Sequence, residues 1–190
     1  MVRPTKHAVF FDRDGVLNKA VVLNGKPYPP RDLSEFVIAQ GARAALYELK
    51  REGFLLIVVT NQPDIARGNA KRADVDKINA QLAAILPLDA IEVCEHDDEE
   101  QCDCRKPKPG MILRAREKFG VDLAHSFMVG DRWRDIEAGQ KAGCRTILIG
   151  DGYGESFSSA PTIKLASLSG VASWITQQSR LDRGSNENDQ

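Results

Sequence analysis

Residues 10–18 read FFDRDGVLN, and the apolar run AVFF at 8–11 ends directly on Asp12, Arg13 and Asp14. The run does not alternate with polar residues, which is the pattern of a strand covered on both faces. Strands of that kind belong to parallel sheets, where polar groups that act on ligands gather at the carboxyl ends. Two acids one residue apart at such an end repel each other. They persist only where a cation or a donor set neutralises them.

The same apolar pattern recurs at 54–59 (FLLIVV), 90–93, 127–129 and 146–149. Helical periodicity fills the intervals. Residues 41–52 put Ala42, Ala45, Leu46 and Leu49 on one face and stop at Gly53. Residues 71–86 align Val75, Ile78, Leu82 and Ile85 and end before Pro87. Residues 110–119 and 133–142 each finish at a glycine, and Ser169 is placed to cap a last helix carrying Val171, Trp174 and Ile175. Alternating strands and helices predict an α/β fold, a Rossmann-like doubly wound parallel sheet flanked by helices. Between Asp14 and Thr60 a loop, a helix and a strand use up the chain, so no separate cap domain is expected. Substrate selection then falls to loops 16–35, 61–70 and 94–109. Residues 1–178 read as a single domain, and the polar stretch 179–190 as a disordered tail.

A chain of 190 residues with 42% hydrophobic and 28% charged residues is that of an ordinary globular domain. The net charge of −1 gives no general attraction to nucleic acid or anionic lipid. No apolar run approaches the ~18 residues needed to span a bilayer, and the N-terminal stretch lacks a secretory pattern, so a cytoplasmic, membrane-free location and a monomer are expected. In a reducing compartment cysteines serve metals more often than disulfides.

The predicted strand ends bring Asp12 and Asp14, Thr60 and Asn61, and Asp131 to one crevice. Carboxylates with room for waters suit a hard divalent ion, and Mg2+ prefers to complete its shell with water and substrate phosphate. Asp12 can attack phosphorus in line as a nucleophile, while Asp14 can protonate the leaving oxygen and later deprotonate water. Thr60 and Lys106, the latter in CRKPKPG, can hold the phosphoryl oxygens. Asn61, Gln62, Arg105 and Arg132 are the groups expected to bind the rest of the substrate. Taken singly each piece has a plain alternative: a lone Asp-x-Asp is commonly a turn, and a lone lysine a solvated side chain. Their joint order at strand ends is what argues for a site.

FFDRDGVLN, VVTNQ, CRKPKPGM and VGDRWRD resemble, in order, the four motifs of the haloacid dehalogenase superfamily of phosphatases. The resemblance spans roughly residues 7–150. It implies Asp12 as nucleophile, Asp14 as acid/base, Thr60 and Lys106 as phosphoryl stabilisers, and Asp131 as a Mg2+ ligand with Asp12 and the backbone carbonyl of Asp14. Asp135 matches a further motif acid, with a helix N-terminal charge as its alternative role.

Cys94, His96, Cys102 and Cys104 form a second constellation. Three thiolates and an imidazole complete a tetrahedral zinc set with no position left open, which argues for a structural ion. The intervening DDEEQ is too polar to pack by itself, so a metal would supply the folding energy. A disulfide is the alternative, and it leaves His96 without a role. Cys144, His7 and His125 are read as ordinary structural residues. The pattern C-x-H followed by C-x-C-R-K-P resembles the zinc-containing branch of the superfamily that holds heptose-bisphosphate and histidinol-phosphate phosphatases. IARG at 65–68 and CRKPKPGM look like the heptose type, and the short gap between His96 and Cys102 like the histidinol type. Asp64 adds a negative charge near the mouth. The expected activity is hydrolysis of a sugar phosphate, heptose 1,7-bisphosphate first and histidinol phosphate second. A polynucleotide 3'-phosphatase comes last, because it calls for a basic groove.

Overall fold

The computed structural model describes residues 6–187. Its main sheet has six strands in the order β5-β4-β1-β6-β7-β8, all neighbours parallel. The strands are β1 (Ala8–Phe11), β4 (Leu55–Asn61), β5 (Ala90–Cys94), β6 (Phe127–Gly130), β7 (Arg145–Ile149) and β8 (Ile163–Leu165). Strand order runs one way from β1 to β4 and the other way from β1 to β6. The switch in direction opens a crevice at the carboxyl end of β1.

Side-chain alternation in β1 explains why its run is wholly apolar. Val9 and Phe11 enter one core layer with Leu56, Val58 and Val129, while Ala8 and Phe10 enter the other with Ile57, Val59 and Met128. The first layer is covered by α1 (Ala42–Arg51) and α5 (Val171–Glu187), through Ala42, Leu46, Leu49, Val171 and Ile175. The second is covered by α3 (Gly110–Phe119) and α4 (Trp133–Ala142), through Met111, Ile112, Ala115 and Ala138. Helix α2 (Arg72–Ile85) buries Val75, Ile78 and Leu82, as its periodicity predicts. Among the described residues no helix is long and apolar enough to cross a membrane.

Two features depart from the sequence reading. An antiparallel hairpin, β2 (Val21–Leu23) and β3 (Lys26–Tyr28), stands in the segment read as a loop. Its turn is Asn24-Gly25, both at positive φ (51° and 75°), the pairing favoured in two-residue hairpin turns. Helix α5 also continues to Glu187, so the tail expected to be disordered from 179 is helical as far as the described residues extend. Ser179 is buried there, and Arg145 on β7 pairs with Asp182 at 2.7 Å. Those contacts hold a polar segment that has no apolar face of its own; residues 188–190 lie outside the described residues.

Candidate active site

β1 stops at Phe11, so Asp12 emerges at the carboxyl edge of the sheet. Thr60 and Asn61 are the last two residues of β4 on one side, and Asp131 follows β6 on the other. Asp12 N donates to Val129 O at 2.9 Å, which locks the two strand ends in register. Lys106 reaches in from the loop before α3. Only 2% exposed, its Nζ donates to Asp12 Oδ1 and to Asp135 Oδ1, each at 2.6 Å. Asn61 secures that loop: its Nδ2 donates to Lys106 O and its Oδ1 accepts from Lys106 N, both at 3.0 Å.

Asp12, Thr60, Asn61, Lys106 and Asp135 line a cleft of about 90 Å3 together with Asp14, Arg132, Arg134, the hairpin residues Pro27 and Tyr28, and Pro29 just after them. That is well below the ~300 Å3 of a cleft that swallows a small ligand whole. It encloses one end of a ligand, of phosphoryl size, and leaves the remainder at the rim.

Carboxylate oxygens of Asp12, Asp131 and Asp135 lie within 4.8 Å of one another, and all three residues are buried. Burial pushes Asp12 up to about 7 and Asp131 up to about 8, and in each case neighbouring carboxylates add to the rise. Burial opposes the charge of Lys106, yet Asp12 and Asp135 hold its pKa above the ordinary lysine value. One ammonium therefore balances a cluster with more negative groups than it can serve. Asp131 Oδ1 is buried and has no hydrogen-bond partner. An all-oxygen set with a buried unpartnered carboxylate oxygen fits a hard divalent cation such as Mg2+.

The Asp14 side chain stands apart from that cluster. It accepts from Arg13 Nη2 at 3.0 Å, Asn18 Nδ2 at 3.0 Å and Gln62 Nε2 at 2.8 Å. Arg13 is fully buried and braced by Asn79 Oδ1 at 2.8 Å. Gln62, expected to bind substrate, is itself 2% exposed and spends its amide on Asp14 and on Thr60 Oγ1 at 2.9 Å. Asp135 combines both roles considered for it. Its Oδ2 accepts from Arg132 N at 3.1 Å at the start of α4, while Oδ1 takes the Lys106 ammonium.

Of the expected substrate cations, Arg132 lines the cleft and pairs with Glu155. Arg105 lies beside the cleft, held by Asp98 at 2.7 Å. Arg134 joins the cleft wall and reaches the same Asp98 at 3.3 Å. Asp64 is 3.7 Å from Arg67, which also binds Asp97 at 2.8 Å, so its extra negative charge is compensated locally. Tyr153 was absent from the sequence reading; its hydroxyl donates to Asp131 Oδ2 at 3.0 Å. The hairpin wall was also missed, although Asn24-Gly25 between apolar residues is its sequence mark.

Cys94, His96, Cys102 and Cys104 converge at the end of β5 and in the loop before α3. All four cysteines are free. The three thiols of the cluster are separated by 3.2, 3.4 and 3.7 Å, and His96 Nδ1 lies 3.3 Å from Cys104 Sγ. Zinc–sulfur bonds of ~2.3 Å in a tetrahedron imply sulfur–sulfur edges of ~3.7 Å. The cluster could therefore hold a zinc ion. His7 and His125 lie at the opposite, amino end of the sheet, stacked at 5.4 Å.

Residues 103–165 match the HAD-hydrolase-like family model. The D-glycero-beta-D-manno-heptose-1,7-bisphosphate 7-phosphatase of Vibrio cholerae is 38% identical over 156 residues, covering 76% of this chain and 81% of that protein. The Pseudomonas aeruginosa protein of the same name is 33% identical over 182 residues, covering 91% and 99%. The crystal structure of D,D-heptose 1,7-bisphosphate phosphatase from B. bronchiseptica, complexed with magnesium and phosphate, matches with a TM-score of 0.78 at 30% identity, covering 90% of this chain and 99% of that one. With that identity extending over most of both chains, and with strand ends that assemble the four motif regions in one cleft, this protein belongs to the haloacid dehalogenase-like family of phosphatases.

Proposed function

We propose that this protein is a magnesium-dependent phosphatase that removes the 7-phosphate of D-glycero-β-D-manno-heptose 1,7-bisphosphate through an aspartyl-phosphate on Asp12. The observation that carries the reading is the Lys106 ammonium held 2.6 Å from both Asp12 and Asp135 at the bottom of a cleft of phosphoryl size. The named relatives support the substrate.

Asp12 Oδ attacks phosphorus, and Asp14 gives a proton to the departing sugar oxygen as the P–O bond breaks. Asp14, now ionised, takes a proton from a water that attacks the same phosphorus and releases phosphate from Asp12. The ion pair with Arg13 and the amides of Asn18 and Gln62 hold the Asp14 carboxyl in place for both proton transfers. Thr60 Oγ1 and Lys106 Nζ hold phosphoryl oxygens where charge accumulates. Asp12, Asp131 and Asp135 are the side chains that would hold Mg2+ directly or through water, and Asp14 contributes its carbonyl. Bound there, the cation neutralises the carboxylate cluster and the phosphoryl charge. Cys94, His96, Cys102 and Cys104 hold a structural zinc that fixes the backbone just before Arg105 and Lys106.

Turnover of heptose 1,7-bisphosphate, histidinol phosphate and a 3'-phosphorylated oligonucleotide, compared by kcat/KM, tests the substrate. A large preference for the heptose bisphosphate is expected, and a preference for either alternative refutes it. Asp12→Asn should abolish turnover of all three.

A further inference from the structure

Beyond the four motif regions, the loop after β7 reaches the carboxyl end of β6. Residues 150–157, GDGYGESF, send two side chains toward it: Tyr153 donates to Asp131 Oδ2 at 3.0 Å, and Glu155 pairs with Arg132. Tyr153 sits at φ 55°, a left-handed conformation uncommon for an aromatic residue. Its amide is held by Asp151 Oδ1 at 3.0 Å, and Glu155 N closes the turn on Gly152 O at 3.0 Å. The backbone thus adopts an unusual conformation that delivers one phenol to one carboxylate.

The two oxygens of that carboxylate are unlike. Oδ2 is occupied by the phenol, whereas Oδ1 is buried and unpartnered. A buried acceptor without a partner is rare in a stable protein, and a metal-ligand role accounts for one. Gly15 closes the other side: a side chain there would overlap Asp131 Oδ2 and lie 3.2 Å from the Tyr153 hydroxyl. The carboxylate is therefore fixed between the β1 turn and the loop after β7.

We infer that Tyr153 is a positioning residue for the magnesium ion: by holding Oδ2 it fixes Asp131 so that Oδ1 is the oxygen offered to the cation. This rests on the magnesium-dependent reading above. Groups that hydrogen-bond a ligating side chain set its orientation, and losing one typically weakens metal binding ~10- to 100-fold.

The test is Mg2+ titration of the zinc-loaded protein without substrate, by calorimetry and by the fluorescence of Trp133, which opens the helix next to Asp131. Tyr153→Phe, which removes only the hydroxyl, should bind Mg2+ about 10-fold more weakly than the wild type. The substrate KM measured at saturating Mg2+ should stay at the wild-type value, since the phenol holds a ligand to the metal rather than the sugar. Equal Mg2+ affinity in the wild type and Tyr153→Phe overturns this inference and leaves the phosphatase reading standing. A wild-type protein that binds no Mg2+ overturns the magnesium reading, and this inference with it.

Discussion

Gly15 and Gly25 both occupy left-handed backbone, at φ 93° and 75°, but their surroundings differ completely. At Gly25, on the tip of the hairpin, an added Cβ meets nothing within 4 Å. At Gly15 the same atom would overlap Asp131 Oδ2 and lie 2.9 Å from Asp131 Cγ. Gly25→Ala therefore carries only the left-handed backbone term, about 1–2 kcal/mol of stability. Gly15→Ala carries that term and an overpacking cost of about 1–3 kcal/mol besides, because Asp131 is 2% exposed with Tyr153 behind it. For Asp131 to make room it must move by on the order of 1 Å, a displacement that can cost ~100-fold in rate, or about 2.7 kcal/mol of transition-state stabilisation. Urea unfolding and kcat/KM at saturating Mg2+ measure the two effects separately. Gly25→Ala should lose stability and keep its kcat/KM, whereas Gly15→Ala should lose both. A Gly15→Ala enzyme with wild-type kcat/KM, or equal losses of rate in the two variants, would refute the placement of Asp131 as a working ligand.

Lys106→Met leaves Asp12 and Asp135 buried without their shared cation, so kcat should fall by ~100- to 1,000-fold and stability by about 3–5 kcal/mol in Mg2+-free buffer. Turnover and urea titration check it, and unchanged values would count against Lys106 in that role. Metal analysis should find zinc bound at Cys94, His96, Cys102 and Cys104; stripping it should expose the loop to protease and lower kcat, whereas zinc-free protein with every thiol freely titratable removes the assignment. Burial raises Asp12 to about 7 and Asp131 to about 8, so the Mg2+-free folded state keeps protons that the unfolded chain has released above its ordinary carboxylate pKa of 3.8. The contribution of these groups to stability is thus lost as pH rises from about 4 through about 8, and the thermal shift given by Mg2+ should be larger near pH 8.5 than near pH 5.5; a larger shift at the acidic end contradicts this.

The parallel sheet was legible because its strands are covered on both faces, and an unbroken run such as FLLIVV has few other uses. Once strand ends are known to share one edge, Asp12, Thr60 and Asp131 come together without further information. What stayed hidden depends on contacts between distant segments. The helix through 179–187 is held by Arg145–Asp182, an ion pair 37 residues apart that no local pattern encodes. GDGYGES reads as a glycine-rich turn, and the reach of Tyr153 to Asp131 appears only when β7 lies beside β6. Gln62 follows the Thr-Asn pair like a ligand group, but burial at 2% turns its amide inward to Asp14.

The acidic run DDEE at 97–100 has a use that its composition concealed. Asp97 binds Arg67 at 2.8 Å, and Asp98 binds Arg105 at 2.7 Å and Arg134 at 3.3 Å. Arg132 is likewise matched by Glu155. Pairs this exposed are each worth about 0–1 kcal/mol, too little for the fold to depend on them. Their effect is on geometry: through Asp98 the candidate zinc loop fixes where Arg134 stands in the cleft wall and Arg105 beside it. A ligand anion must then take an arginine from its carboxylate, so binding rewards a phosphate that meets the fork in the right place more than negative charge as such. A polynucleotide backbone depends on uncompensated positive charge spread along a groove. This rim offers arginines already paired, around a cleft that closes over one phosphoryl group, and that combination favours a small phosphorylated sugar.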